Sequence, residues 1–229
     1  MTTAGLRAAS KLMPVRRDWL ITLRRMQSLM VEVDADTCLH VGVTGGPGCV
    51  QYLENDEIAP RGFRAWYVEP RGVGRSEGGP HTMDQAVTDL EAIRVRLEVE
   101  SWIVVGHSWG SDLAVRYAVE YPTSVVAVVG IAGRGPQRDA TWSTSYETGR
   151  TSEPLVEIAW VPEVHVSLGA SFTEWIHQPD LWRRLADCRV PMQFIAAGDD
   201  IRPSWPMQQL ATLVPQGSFA AVPGVPHDF

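Results

Sequence analysis

The residues with the clearest chemical potential are Gly106-His107-Ser108-Trp109-Gly110, a G-x-S-x-G run. It directly follows the apolar run Trp102-Ile103-Val104-Val105-Gly106 and directly precedes a helical pattern. That is the strand–turn–helix setting of a nucleophile elbow. The glycines are needed because the tight turn brings strand and helix backbones together, where a Cβ would clash. The helix N-terminus after Ser108 would aim its unbonded N–H groups and positive dipole end at developing negative charge. The competing reading is an ordinary glycine-rich turn between strand and helix.

A serine hydroxyl is a weak nucleophile and needs a base. For a serine on such an elbow, an acid and a histidine follow in the order Ser, Asp, His. Asp199 and Asp200 follow the strand pattern over 192–197. Adjacent residues at a strand end point in different directions, so only one of them can serve. The other would be a solvated loop residue or a helix cap. His227 follows the last strand pattern and is the expected base. Of the other histidines, His40 lies in a strand pattern and His107 is fixed in the elbow. His81, His165 and His177 fall on a loop or in an insertion.

Thr44-Gly45-Gly46-Pro47-Gly48 follows a strand pattern over 38–43. A glycine-rich turn there exposes backbone N–H groups. The expected oxyanion donors are the N–H groups of Gly46 and of Trp109, the residue after the nucleophile. Losing one such donor typically costs about 10²–10³ in rate. As a phosphate cradle the loop lacks the Lys-Ser/Thr ending of a P-loop and the spacing of a dinucleotide fingerprint.

These groups need elements to hold them. Apolar runs predict strands over 38–43, 63–69, 102–106, 124–131, 192–197 and 219–222, the third and fourth buried on both faces. Helical patterns cover 83–99, with Thr82 or Asp84 as the start signal, then 111–121 and 205–214. Strands alternating with long helices imply a mostly parallel central sheet flanked by helices, an α/β fold with sites at strand C-terminal ends. Residues 133–188 break the alternation and hold four of the nine tryptophans, Trp142, Trp160, Trp175 and Trp182. The expected division is a basic N-terminal arm over 1–31, a core over 32–132 and 189–229, and a cap insertion at one sheet edge over 133–188.

The 229 residues are 45% apolar and 21% charged, enough for one sizeable core. The net charge of −7 speaks against a nucleic-acid partner, which would require clustered basic residues. No apolar run approaches a membrane span, so no stable insertion is expected. Residues 1–31 carry six basic residues against Asp18 alone. Trp19, Leu23, Met26 and Met30 recur at helical spacing, so 16–30 reads as an amphipathic helix. It would be docked on its own domain or frayed, with a membrane-surface or dimerisation arm as the functional alternative. Cys38, Cys49 and Cys188 form no disulfide framework, and residues 1–13 have no apolar leader core. The expected location is the cytoplasm.

Taken together, these motifs resemble the α/β-hydrolase superfamily and, within it, the proline iminopeptidase-like branch. That branch has an H-G-G-P-G loop, here T-G-G-P-G over 44–48. Its D-x-R-G-x-G-x-S segment is matched by Glu69-Pro70-Arg71-Gly72-Val73-Gly74-Arg75-Ser76. Its G-x-S-W-G elbow is matched over 106–110, and its G-x-D-x-R-P acid loop implies Asp200 as the acid. The resemblance covers roughly 38–132 and 189–229.

Three departures stand out. Thr44 replaces the motif histidine. The insertion is short for a cap that supplies a carboxylate to a substrate's free amine; Glu147, Glu153, Glu157, Glu163 and Glu174 are the candidates. The chain ends two residues after His227, where the fold adds a final helix. That implies a shortened chain, or a sheet face covered by Leu20, Leu23 and Met26 or by a second subunit in a homodimer.

The resemblance implies a serine hydrolase requiring no cofactor or metal, with Ser108, His227 and Asp200 as its triad. It would cleave a small ester or amide, or a short peptide, most simply as a carboxylesterase. The alternatives are a proline iminopeptidase-like aminopeptidase and a non-catalytic binding protein on the same fold. The insertion's tryptophans would wall an apolar acyl pocket or serve as core.

Overall fold

The computed structural model describes residues 30–34, 37–40, 46–53, 65–137, 139–153 and 157–227. Most of the basic arm and of the helix expected over 16–30 lies outside the described residues. Met30 itself opens a strand: β1 (Met30–Asp34) pairs antiparallel with β2 (Thr37–His40), with Val31 opposite Leu39. Met30 fits the helical spacing, but the run Val31-Glu32-Val33-Asp34 has the strand period of two and takes precedence. The rest of the strand expected over 38–43, with Thr44 and Gly45, lies outside the described residues. The described part of the 63–69 run, residues 65–69, contributes no strand to the central sheet.

Helix α1 (Met83–Arg96) starts where Thr82 Oγ1 accepts the Gln85 N–H at 3.1 Å, so Thr82 rather than Asp84 is the cap. It stops three residues short of the expected end because Glu98 adopts a left-handed φ of 55°. There follow β3 (Trp102–His107), α2 (Trp109–Glu120) and β4 (Val125–Ile131). The insertion supplies α3 (Ala140–Gly149), α4 (Pro162–Ile176) and α5 (Leu181–Asp187). Then come β5 (Met192–Ala197), α6 (Trp205–Leu213) and β6 (Gly217–Val222).

The central sheet has the order β3-β4-β5-β6, and all three pairings are parallel. Its register puts His107 beside Ile131, Ile131 beside Ile195, and Ala197 beside Val222. The loops after all four strands therefore emerge along one edge. Helix α2 lies on β3 and β4, and α6 on β5 and β6. Val105 and Val126 are each 39% exposed, so β3 and β4 are not buried along both faces as their composition suggests. An apolar run records what a strand can tolerate, not which of its faces a helix covers.

The insertion is less peripheral than a cap over a sheet edge. Leu168 and Trp175 of α4 and Leu181 and Leu185 of α5 share one core with Tyr117 of α2 and Phe194 of β5. Trp175 is thus core, while Trp160 and Trp182 are exposed. Ahead of α1, Arg71 donates through Nε and Nη2 to both carboxylate oxygens of Asp89, at 2.7 Å each, and through Nη1 to the Gly79 carbonyl at 2.9 Å. This buried, bidentate pair fixes the segment after residue 69 on α1.

Candidate active site

Ser108 stands alone between β3 and α2, with φ 54° and ψ −123°. For a non-glycine residue this conformation costs about 1–3 kcal/mol. It persists because its surroundings fix it: the Ser108 N–H donates to the Ile131 carbonyl at 2.8 Å. A Cβ on Gly106 would run into the Gly110 carbonyl, so β3 and α2 approach this closely only with glycine there. The sharp turn lifts the Ser108 hydroxyl out of the strand and leaves it without a capping bond to its own helix.

The hydroxyl meets His227 instead. Ser108 Oγ lies 3.1 Å from His227 Nε2, and His227 Nδ1 lies 2.6 Å from Asp200 Oδ2. An ionised carboxylate only accepts, so Nδ1 carries the proton in the neutral ring. Nε2 is then the acceptor for the serine O–H. The side chains of His227 and Asp200 are 7% and 5% exposed. Burial opposes ionisation of Asp200. The hydrogen bond and charge of His227, with the Arg202 N–H and guanidinium, outweigh it and hold the carboxyl below its ordinary 3.8. Asp200 Oδ1 accepts from the Arg202 N–H at 2.9 Å and from Nη1 at 3.1 Å. Asp199 is exposed, and its backbone N–H donates to the Val225 carbonyl at 2.9 Å, tying the acid loop to the histidine loop.

A second layer holds His227. The His107 ring donates from Nε2 to the His227 carbonyl at 2.9 Å, since a carbonyl only accepts. Nδ1 then accepts from Tyr52 O–H at 2.6 Å. The elbow's own histidine thus anchors the histidine loop from beneath. Sequence reasoning left His107 and Tyr52 without a role, because the contacts join residues 120 and 55 positions apart.

Gly46 has φ 63° and its carbonyl accepts the Cys49 N–H at 3.3 Å in a tight turn. The loop is held on three sides. Glu69, fully buried, accepts the Gln51 N–H at 3.3 Å and the Arg75 N–H at 3.0 Å. Val50 donates to the Ala159 carbonyl, and Val161 to that of Gly48, each at 2.8 Å. His165 Nδ1 donates to the Pro47 carbonyl at 2.9 Å. Trp109 is the first residue of α2, so its N–H has no place in the helix ladder.

Beneath the elbow, Asp112 accepts the Gly135 N–H at 2.8 Å. Burial pushes its carboxyl up from 3.8 to about 7, against the pull of the Gly135 N–H and the Arg134 charge. Between those two values the folded chain binds more protons than the unfolded chain, so rising pH removes stability, by about 4 kcal/mol in all. Asp112→Asn keeps the acceptor and cannot ionise. Its stability relative to wild type, read from urea midpoints, is expected to rise between pH 5 and pH 8. A difference that stays constant with pH would contradict this.

Among the described residues, no group of His, Cys, Asp and Glu could hold a metal ion, and no helix is long and apolar enough to cross a membrane. The comparisons agree with this architecture. Residues 41–158 match the alpha/beta hydrolase fold family. A probable proline iminopeptidase of Streptomyces coelicolor is 34% identical over 97 residues, covering 38% of this chain and 28% of the relative. This chain thus spans less than a third of that relative's length. The structure of E-2-(acetamidomethylene)succinate hydrolase superposes with a TM-score of 0.67 at 16% identity, covering 88% of this chain and 92% of that one. That of a proline iminopeptidase of Mycobacterium smegmatis gives 0.62 at 18% identity, covering 88% and 91%. With the matched family segment spanning half the chain, from the glycine loop through the elbow and beyond β4, this chain belongs to the alpha/beta hydrolase fold family.

Proposed function

We propose that the chain is a serine hydrolase that cleaves a small ester or amide through an acyl-enzyme. The observation that carries this reading is His227 bridging Ser108 and Asp200 at 3.1 and 2.6 Å. Ser108 Oγ attacks the carbonyl carbon while its proton passes to His227 Nε2. Asp200 keeps the Nδ1 proton in place and stabilises the imidazolium. The N–H groups of Trp109 and Gly46 hold the oxyanion. The imidazolium then protonates the leaving group, and water repeats the sequence to release the acid.

Within this class, a carboxylesterase is the reading the insertion supports. An aminopeptidase needs a carboxylate for the substrate's free amine. Glu153 is the half-buried candidate beside the acid loop, and Arg202, which also pairs with Asp200, engages it through two contacts, Nη2 lying 3.3 Å from Oε2. Glu147 pairs with Arg150 on the surface. The names of the sequence relatives favour the aminopeptidase as the second reading. Turnover of 4-nitrophenyl butyrate and of proline 4-nitroanilide separates the two. The ester is expected to have the higher kcat/KM by at least about 100-fold. Faster turnover of the anilide, lost when the proline nitrogen is acetylated, would give the aminopeptidase reading the lead.

A further inference from the structure

The loop after β4 carries a cation the proposed reaction does not use. Residues 132–135 wrap over the first turn of α2: Ile131 accepts the Ser108 N–H, Gly133 packs its N–H on Met207 Sδ, and Gly135 donates to Asp112. Arg134, in the middle, sends its guanidinium under the insertion. It lies 5.0 Å from the Trp142 ring of α3 and 5.2 Å from the Phe172 ring of α4. Both contacts are within cation–π range. Trp142 is itself held, stacked on Tyr146 and donating from Nε1 to the Pro203 carbonyl at 3.1 Å.

This cation feels the charge of Asp112 but has no carboxylate at ion-pair distance. Its Nε is buried without a hydrogen-bond partner, and among the described residues no carboxylate pairs with it within 4 Å. Asp112 is the nearby acid, and burial keeps it partly protonated near neutral pH. Arg134 is half-buried, so its outer guanidinium nitrogens, unlike the enclosed Nε, are open to an arriving acceptor.

Its position relative to the proposed reaction centre can be read along α4. His165 of that helix touches the glycine loop at Pro47, and Phe172, seven residues on, touches Arg134. At 1.5 Å per residue the two contacts are about 10 Å apart along α4, comparable to the length of a short acyl chain. On the serine hydrolase reading the leaving group departs towards His227, which leaves the side of the insertion to the acyl half.

We propose that Arg134 is a specificity residue that binds a carboxylate at the far end of the substrate's acyl chain, selecting a monoester or monoamide of a short dicarboxylic acid. The proposal rests on the serine hydrolase reading for its catalytic consequence, but the anion site itself does not require turnover.

The test compares 4-nitrophenyl hydrogen glutarate with 4-nitrophenyl valerate, two five-carbon acyl groups that differ in a terminal carboxylate against a methyl. Wild type is expected to prefer the glutarate by about 10-fold or more in kcat/KM. In Arg134→Met the glutarate-to-valerate ratio is expected to fall about 30-fold, with part of it kept in Arg134→Lys. A wild-type ratio at or below one, or an unchanged ratio in Arg134→Met, overturns the proposal while leaving the serine hydrolase reading intact. If neither ester is turned over, that reading fails and binding decides. Glutarate dianion should then raise the Tm of Ser108→Ala and not that of Ser108→Ala with Arg134→Met. Equal shifts, or none, overturn the anion site.

Discussion

Ser108→Ala is expected to lower kcat/KM on 4-nitrophenyl butyrate by about 10⁶-fold, equivalent to about 8 kcal/mol of transition-state stabilisation. The size follows from the way the site is built. The hydroxyl makes no cap with its own helix, and its partner is His227 Nε2 at 3.1 Å. Removing Oγ leaves His227 without a nucleophile to activate, and what remains is binding and the oxyanion donors. Alanine has the same reluctance as serine to adopt φ 54°, so the fold is expected to keep its Tm within a few degrees. Residual activity within 100-fold of wild type would mean that another group attacks.

Asp200→Asn is expected to lower kcat about 10⁴-fold with the protein still folded. Two donors, the Arg202 N–H and Nη1, converge on Oδ1 of residue 200. They hold the amide oxygen of asparagine in that position and turn its NH₂ group towards His227 Nδ1. A ring nitrogen that faces a donor must be unprotonated, so the proton moves to Nε2, which then donates to Ser108 and cannot accept from it. The aspartate next to it is the control. Asp199 acts through its backbone N–H, and Asp199→Asn is expected to change kcat by less than about threefold. Equal losses in the two variants would remove Asp200 from its role.

The candidate groups were legible because each sits where a strand ends. The elbow is local in sequence: β3, Ser108 and α2 are contiguous, and the glycine at 106 is required by a backbone clash within four residues. The histidine and acid loops follow strands whose register brings their ends level. What supports the proposed triad was not legible. The Tyr52–His107–His227 chain and the ties of the glycine loop to Glu69, Ala159 and His165 join segments far apart, and no local pattern encodes them. The exposed valines of β3 and β4 escaped for a related reason, since an apolar run is silent on which helix covers it. Arg134 escaped because its meaning lies in what surrounds it, two rings from different helices.

The account stands on one assembled nucleophile. The most direct test treats the folded protein with a fluorophosphonate and reads intact mass and peptide masses. A single adduct is expected on the peptide containing Ser108, absent from Ser108→Ala and strongly slowed in His227→Ala. A folded wild-type protein that takes up no label, or takes it up at another residue, would contradict it.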